Sequence, residues 1–425
     1  MKKLLYLFIG IPLLFSACTD DSKDSIFDKT PDERVAERTK KYADALEGAE
    51  NGWKAVYYPN DELYGAFTYV IKFKAETNEV TMYSDLFANG SSTSTYRFQL
   101  QQEPSLVFDT FGQLHILSDP ANGKKGEGYQ GEFEFFFREL SADKIVLEGK
   151  IHGKELVLTK ADANAPEQLE NNYTNSQLLK PQAGMSFFRN LVLEGDINKK
   201  VSFQYSASTR RVSTAHIEGE STLTQNKFGV EFSPTGFKLH TPLMVDGKSI
   251  QTFVYDEAAA SFKVSDDGIT GELKYDTTPP YVVEGIADDI LTGDFYSIDG
   301  FSNTMVPYLD DVKKDVPTFK GFQLYMQRSY ILCYSNPAHD GSSKWSGFKN
   351  CVFTKSAEDK IFVDTSDMQL AFSLWFYELW QVNDGAKGIM AFLWDANGFY
   401  VVKESADEFY LVSVADPSKY ILVGR

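Results

Sequence analysis

From residue 67 onward the side chains alternate. Phe67, Tyr69, Ile71 and Phe73 fall on one face, and Thr68, Lys72 and Lys74 on the other. A period of two sends successive side chains to opposite faces, so the run predicts a half-buried β-strand. Glu76-Thr77-Asn78-Glu79 supplies a turn, after which Val80 and Met82 resume the alternation. Similar runs follow at Tyr96–Leu100, Leu106–Phe108, Leu114–Leu117, Phe133–Phe137, Ile145–Leu147 and Leu156–Thr159. Joined by glycine and asparagine turns, strands at this spacing predict an antiparallel sandwich or barrel.

The stretch just before is helical in pattern. Thr30-Pro31-Asp32-Glu33 offers an N-cap hydroxyl, a proline at the first helical position and a glutamate at the third, which together make a capping box. Val35, Tyr42, Leu46 and Ala49 then share a face, Gly48 and Gly52 mark the exit, and Trp53 to Tyr58 turns extended.

The pattern also repeats. Ile71-Lys72-Phe73 and Val80 recur as Phe203-Gln204-Tyr205 and Val212, with the same intervals. LVFDTFGQLH, ending at His115, recurs as VEFSPTGFKLH, ending at His240, with one residue inserted. A duplicated β unit is expected: residues 31–160 with the N-terminal helix, then 183–280. Residues 161–182, polar and rich in Asn, Gln and Pro, read as a linker or surface loop. Asp276-Thr-Thr-Pro-Pro280 makes a further break. Residues 281–425 are heavily aromatic in AFSLWFYELW (371–380) and IMAFLWDANGFYVV (389–402), which read as strands; Asp395-Ala-Asn-Gly398 reads as a hairpin turn. The expected fold is mainly β, with a short N-terminal helix, duplicated antiparallel units and an aromatic-rich β C-terminal region.

The first residues do not belong to that body. Lys2 and Lys3 precede an apolar stretch, Leu4 to Phe15, too short for the roughly 20 residues a bilayer requires. Ser16 and Ala17 then lead to Cys18. Residues 1–17 are expected to be a secretory signal. Phe-Ser-Ala-Cys resembles a lipobox, so Cys18 is the expected lipidation site and membrane anchor. Residues 18–30 form an acidic, polar tether. Its acidic residues resemble the export tag of Bacteroidetes surface lipoproteins, which implies an outer-membrane protein facing the cell exterior.

Charge narrows the partners. The chain has 60 acidic and 42 basic residues, a net of −18. Such a field repels phosphate backbones and no basic stripe offsets it, so nucleic acid is excluded as the expected partner. Cys333 and Cys351 remain beside Cys18. In an exported protein they could form a disulfide closing a loop of roughly 18 residues, or stay as two buried thiols.

Catalytic patterns are missing: no His-Glu-x-x-His, no Gly-x-Ser-x-Gly and no phosphate-cradling glycine loop. Neither a metal nor a cofactor is expected. His115 and His240 read as structural, and Asp266-Asp267-Gly268 and Asp395-Asn397-Gly398 as turns rather than calcium loops. Most tryptophans sit in runs that predict core packing. Trp345 lies in the polar stretch SNPAHDGSSKWSGFKN, where an aromatic in a loop is a contact candidate.

FDKTPDERVAE leading to LEGAENGWKAVYYP resembles the opening of a Bacteroidetes lipoprotein family known as domain of unknown function 4302. LVFDTFGQLHILSDP with GYQGEFEF, and later FSPTGFKLHTPL, resemble its other recurrent stretches, through about residues 27–275. That family has no assigned activity, so no catalytic residues come with it. The resemblance implies an accessory role beside a TonB-dependent transporter and its lipoprotein lid. The expectation is a non-catalytic binding protein for peptide or glycan uptake. A hydrolase with carboxylates assembled only in the fold, and an envelope scaffold without a ligand, are the alternatives.

Overall fold

The computed structural model describes residues 29–425, apart from 89, 101–102, 124–125, 219–221, 299, 340–342, 372–374 and 405. The signal sequence and Cys18 lie outside the described residues. Helix α1 (Pro31–Glu47) starts at the expected capping box, with Glu33 N donating to Thr30 Oγ1 at 3.3 Å and Thr30 N to Glu33 Oε2 at 2.8 Å. Only its second half packs. Tyr42 stacks on Phe137 at 4.1 Å and Leu46 is buried, whereas Val35 stays 47% exposed. Trp53 Nε1 donates to the Leu46 carbonyl at 2.7 Å and ties the helix to the first strand. Gly52 takes φ +86° at the junction, where a Cβ would sit 2.8 Å from the Ile71 carbonyl oxygen.

The alternating strands close into a barrel. β1 (Trp53–Tyr57), β2 (Phe67–Lys74), β3 (Glu79–Ser84), β4 (Ser91–Leu100), β5 (Pro104–Phe108), β6 (Glu134–Leu140), β7 (Lys144–Gly149) and β8 (Glu155–Lys160) pair in order, and β8 returns to β1. Trp53, Tyr57, Tyr69, Ile71, Leu106, Phe135 and Leu158 belong to one buried cluster with residues from most of the other strands. A second barrel follows, from β9 (Arg189–Gly195), β10 (Lys199–Ser206), β11 (Arg211–Glu218), β12 (Thr222–Ser233), β13 (Gly236–Val245), β14 (Lys248–Asp256), β15 (Ser261–Asp266) and β16 (Ile269–Tyr275), with β9 closing between β10 and β16. Phe203, Phe237 and Phe253 stand at the centre of its core.

The duplication is real at the level of register. Phe73 pairs with Val80 in the β2–β3 hairpin, and Tyr205 with Val212 in the equivalent β10–β11 hairpin. The second pair of matched stretches is not equivalent. VEFSPTGFKLH crosses the β12–β13 turn, whereas LVFDTFGQLH leaves β5 for a helix, α2 (Gln113–Ser118). Residues 114–117, expected as a strand, are helical because Leu114 and Leu117, three apart, bury together under the barrel. A short apolar run fits either period, and packing decides.

The expected linker is likewise a helix, α3 (Ala165–Leu179), lying across both barrels. Its buried positions Ala165, Leu169, Asn172, Asn175, Ser176 and Leu179 follow helical spacing, but three of them are polar and hide the stripe. Asn172 and Asn175 use their amides to donate to the Phe232 and Ser233 carbonyls at 3.0 and 2.9 Å. The barrels also join directly, since Ala66 N donates to the Val230 carbonyl at 2.9 Å and Gly65 N to the Thr209 carbonyl at 2.9 Å.

The rest forms a ten-stranded antiparallel sheet. It is built from β17 (Asp294–Ile298), β18 (Phe319–Tyr325), β19 (Tyr330–His339), β20 (Ser343–Lys349), β21 (Val352–Ala357), β22 (Lys360–Asp364), β23 (Gln369–Leu370), β24 (Phe399–Lys403), β25 (Glu408–Ser413) and β26 (Tyr420–Gly424), in the order β21-β22-β24-β25-β26-β17-β18-β19-β20-β23. Helices α4 (Ile286–Leu291), α5 (Val306–Asp315), α6 (Trp375–Val382) and α7 (Asp384–Leu393) share its core. The aromatic runs therefore differ from expectation at 375–380 and 389–393, which are helical, whereas Phe399–Val402 is the expected strand. Trp375, Phe376 and Leu379 bury one helical face, with Phe376 against Phe319 at 5.6 Å. Contacts of that size override strand propensity. Asn383 caps α7 by accepting from Ala386 N at 2.8 Å, and Asp395–Gly398 turns from that helix into β24 rather than forming a hairpin.

Candidate functional site

A cavity of about 430 Å³ lies where the outer wall of the second barrel meets the third sheet. Strand register builds its first wall. Val212 faces the core of the barrel, so Ser213 and Ala215, one residue out of phase, face outward. Ser202 pairs with Ala215 and Ala215 with Gln225 in one row. Gln204, Ser213 and Lys227 make the next row by the same pairings. The opposite wall is Val401 to Glu404 at the end of β24. Pro279, Pro280, Tyr281, Val283 and Ile286 supply the floor, from the connection after β16.

The walls are held apart by aromatic packing. Phe187 and Phe188, just ahead of β9, pack into the outer face of the third sheet, Phe188 edge-on to Tyr400 at 5.1 Å and Phe187 against Tyr420 at 4.9 Å. Backbone bonds reinforce the joint: Phe187 N donates to the Pro417 carbonyl at 2.8 Å and Asp276 N to the Phe188 carbonyl at 2.7 Å.

Charge enters at one end. Lys227 Nζ donates to the Glu404 carbonyl oxygen at 3.0 Å and stands 3.7 Å from its carboxylate. Burial pushes the Glu404 carboxyl up, and the charge of Glu408 adds to the shift against the opposing pull of Lys227. Burial also raises Tyr281, whose hydroxyl meets the side chains of Gln225 and Ser202. The cavity thus has apolar walls, neutral hydrogen-bonding groups along the barrel side and two acidic residues in its lining, the buried Asp359 and the undercompensated Glu404, a combination suited to binding a ligand. Among the described residues no group of three or more His, Cys, Asp or Glu is placed to hold a metal ion.

The residues singled out from the sequence lie elsewhere. Trp345 is in strand β20 rather than a loop, because its neighbours complete a hairpin in which it pairs with Tyr334; the two rings stack at 4.4 Å. Cys333 and Cys351 are free, buried thiols. Cys351 Sγ lies 3.7 Å from the Phe348 carbonyl oxygen. His115 Nδ1 accepts from Gly112 N at 3.1 Å and its ring stacks on Phe133 at 4.6 Å. His240 lies 4.3 Å from the Tyr58 ring, between the barrels. Asp266 accepts from the Gln251 and Thr252 amides, and Asp395 from Asn397 N, so both serve backbone geometry. The cleft residues gave no signal in sequence: Lys227 and Glu404 are 177 positions apart and sit in ordinary strand surroundings.

What fold and cleft define together is a mainly β protein of two closed barrels and a curled sheet, with a ligand-sized cavity at one junction. Residues 23–257 match the family described as Domain of unknown function (DUF4302), and the chain belongs to that family. No curated protein matches the chain. Among solved structures it is similar to an H. pylori beta clamp in complex with diflunisal, at 8% identity and a TM-score of 0.18 over 92% of this chain and 96% of the other. A putative DNA polymerase III beta subunit from Eubacterium rectale is similar at 8% identity and a TM-score of 0.18, over 91% and 96% of the two chains. Likenesses of that size carry no argument.

Proposed function

We propose that this protein is a Bacteroidetes outer-membrane lipoprotein, anchored through Cys18 and facing the cell exterior, that binds a peptide or glycan nutrient without catalysis beside a TonB-dependent transporter and its lipoprotein lid. The observation that carries the binding role is the cleft between the second barrel and the third sheet. Its volume falls within the roughly 300–1,000 Å³ typical of small-ligand pockets. The lipobox-like Phe15-Ser16-Ala17-Cys18 and the acidic residues after it support the anchored, outward-facing placement. No helix among the described residues is long and apolar enough to cross a membrane.

Two measurements test the reading. Protease shaving of intact cells is expected to release peptides of the mature body while periplasmic controls stay protected. Release only after the outer membrane is opened would overturn the outward placement. Affinity capture from cross-linked cells is expected to recover a transporter complex, and pooled peptides and glycans to yield a retained ligand. Recovery of neither would remove the uptake role.

A further inference from the structure

The cleft is lopsided. Its barrel side offers the neutral groups Ser202, Gln204, Ser213 and Gln225, in two adjacent rows fixed by strand register. Its far side carries Val401 and Val402 and ends at Glu404, where β24 runs out. Among the described residues the cation paired with the Glu404 carboxylate is Lys227, whose side chain is half exposed and 3.7 Å away. That ammonium is shared between the carboxylate and the Glu404 carbonyl oxygen, to which it donates at 3.0 Å. Lys403, the other lysine of the lining, is turned to Asp289 at 2.8 Å. A carboxylate removed from water with partial compensation gains from a further cation delivered by a ligand.

Ligand size follows from the cavity. About 430 Å³ accommodates a di- or tripeptide. Sugars would bring many hydroxyls to a wall formed by Phe188, Leu223, Val283 and Val402, where those hydroxyls would go unmatched. Apolar side chains match those apolar groups, and backbone amides match the glutamines and serines of the barrel wall.

Resting on the reading of this cleft as the binding site, we propose that it takes a short apolar peptide by its free amino terminus. The terminal ammonium sits at Glu404, the side chains lie against Phe188, Leu223 and Val402, and the peptide amides face Gln225 and Ser202.

Calorimetry on the full-length lipoprotein in detergent tests this with three probes: Phe-Phe-amide, its N-acetylated form and maltotriose. Phe-Phe-amide is expected to bind at least tenfold more tightly than the acetylated probe. Glu404→Gln should erase that difference and leave the acetylated probe unchanged. Lys227→Met, at an exposed position, should tighten Phe-Phe-amide severalfold by removing the competing ammonium. Ala215→Trp should abolish binding of both peptides by filling the cleft. Equal affinity of the two peptides for the unaltered protein would overturn the amine preference and leave the cleft as a binding site. Binding of maltotriose alone, lost in Ala215→Trp, would overturn the peptide assignment and keep the uptake role. Peptide binding that survives Ala215→Trp would move the site away from the cleft and overturn both.

Discussion

Arg210 Nη1 lies 2.8 Å from Asp85 Oδ1, with the arginine side chain 6% and the aspartate side chain 0% exposed. The two come from different barrels, Asp85 from just after β3 and Arg210 from the β10–β11 turn. The guanidinium also lies over Phe67 at 4.7 Å and Phe232 at 5.0 Å, one ring from each barrel. A buried charge without its partner is costly. Arg210→Met is expected to lose about 3–5 kcal/mol in urea denaturation, with much of it recovered by adding Asp85→Leu. A loss below roughly 1 kcal/mol, the range of surface pairs, would show that water reaches the junction.

Gly65 fits the same seam for want of a side chain. A Cβ there would fall 2.1 Å from the Arg210 carbonyl oxygen and 2.7 Å from that of Val230, both backbone atoms that cannot swing aside. Gly65→Ala should therefore destabilise by about 3 kcal/mol, the upper range for overpacking. It should also split thermal unfolding into separate barrel transitions. A single unshifted transition in calorimetry would contradict this.

The cysteines give a pH signature. Burial pushes the Cys351 thiol up to about 12 and holds Cys333 well above the usual range, where the neighbouring Cys351 adds to the effect. In unfolded chain a thiol titrates near about 8.5. Above that pH the unfolded state releases protons that the folded state keeps, so stability is full below about 8.5 and falls as pH rises toward 12. Each thiol should contribute a slope of about 1.4 kcal/mol per pH unit in that window. Cys351→Ala should remove its share. A thiol reagent at pH 8 should react with both cysteines only in denaturant; no reaction even there would mean they are disulfide-bonded.

Trp345 should matter to stability and not to the cleft. Losing its stack on Tyr334 is expected to cost about 1 kcal/mol. Ligand affinity in Trp345→Ala should match that of the unaltered protein, and a tenfold loss would relocate the site to the β19–β20 hairpin.

The antiparallel β units were legible because Phe67 to Phe73 alternate cleanly, though alternation suits a sandwich as well as a closed barrel, and α1 because Thr30 and Glu33 announce its start. Elements failed where burial and polarity disagree. Helix α3 buries Asn172 and Ser176, so its stripe reads as surface until the Phe232 carbonyl that Asn172 meets is known. Helix α6 looks like strand because aromatics favour strands until a sheet is there for them to cover. The cleft was invisible for a different reason. Ala215, Gln225 and Glu404 acquire a role only when two separately folded walls face each other, and no local period encodes that meeting.

Closing the barrels has a consequence for how this chain meets others. A closed barrel offers no unpaired row of backbone groups, so sixteen of the strands have nothing to lend an incoming strand. The open margins of the third sheet are β21 and the two-residue β23. Any fusion, swap or fibre-like growth through backbone pairing is thereby confined to one unit, and mostly to Val352–Ala357, which carries Lys355 in its middle as a charged guard against it.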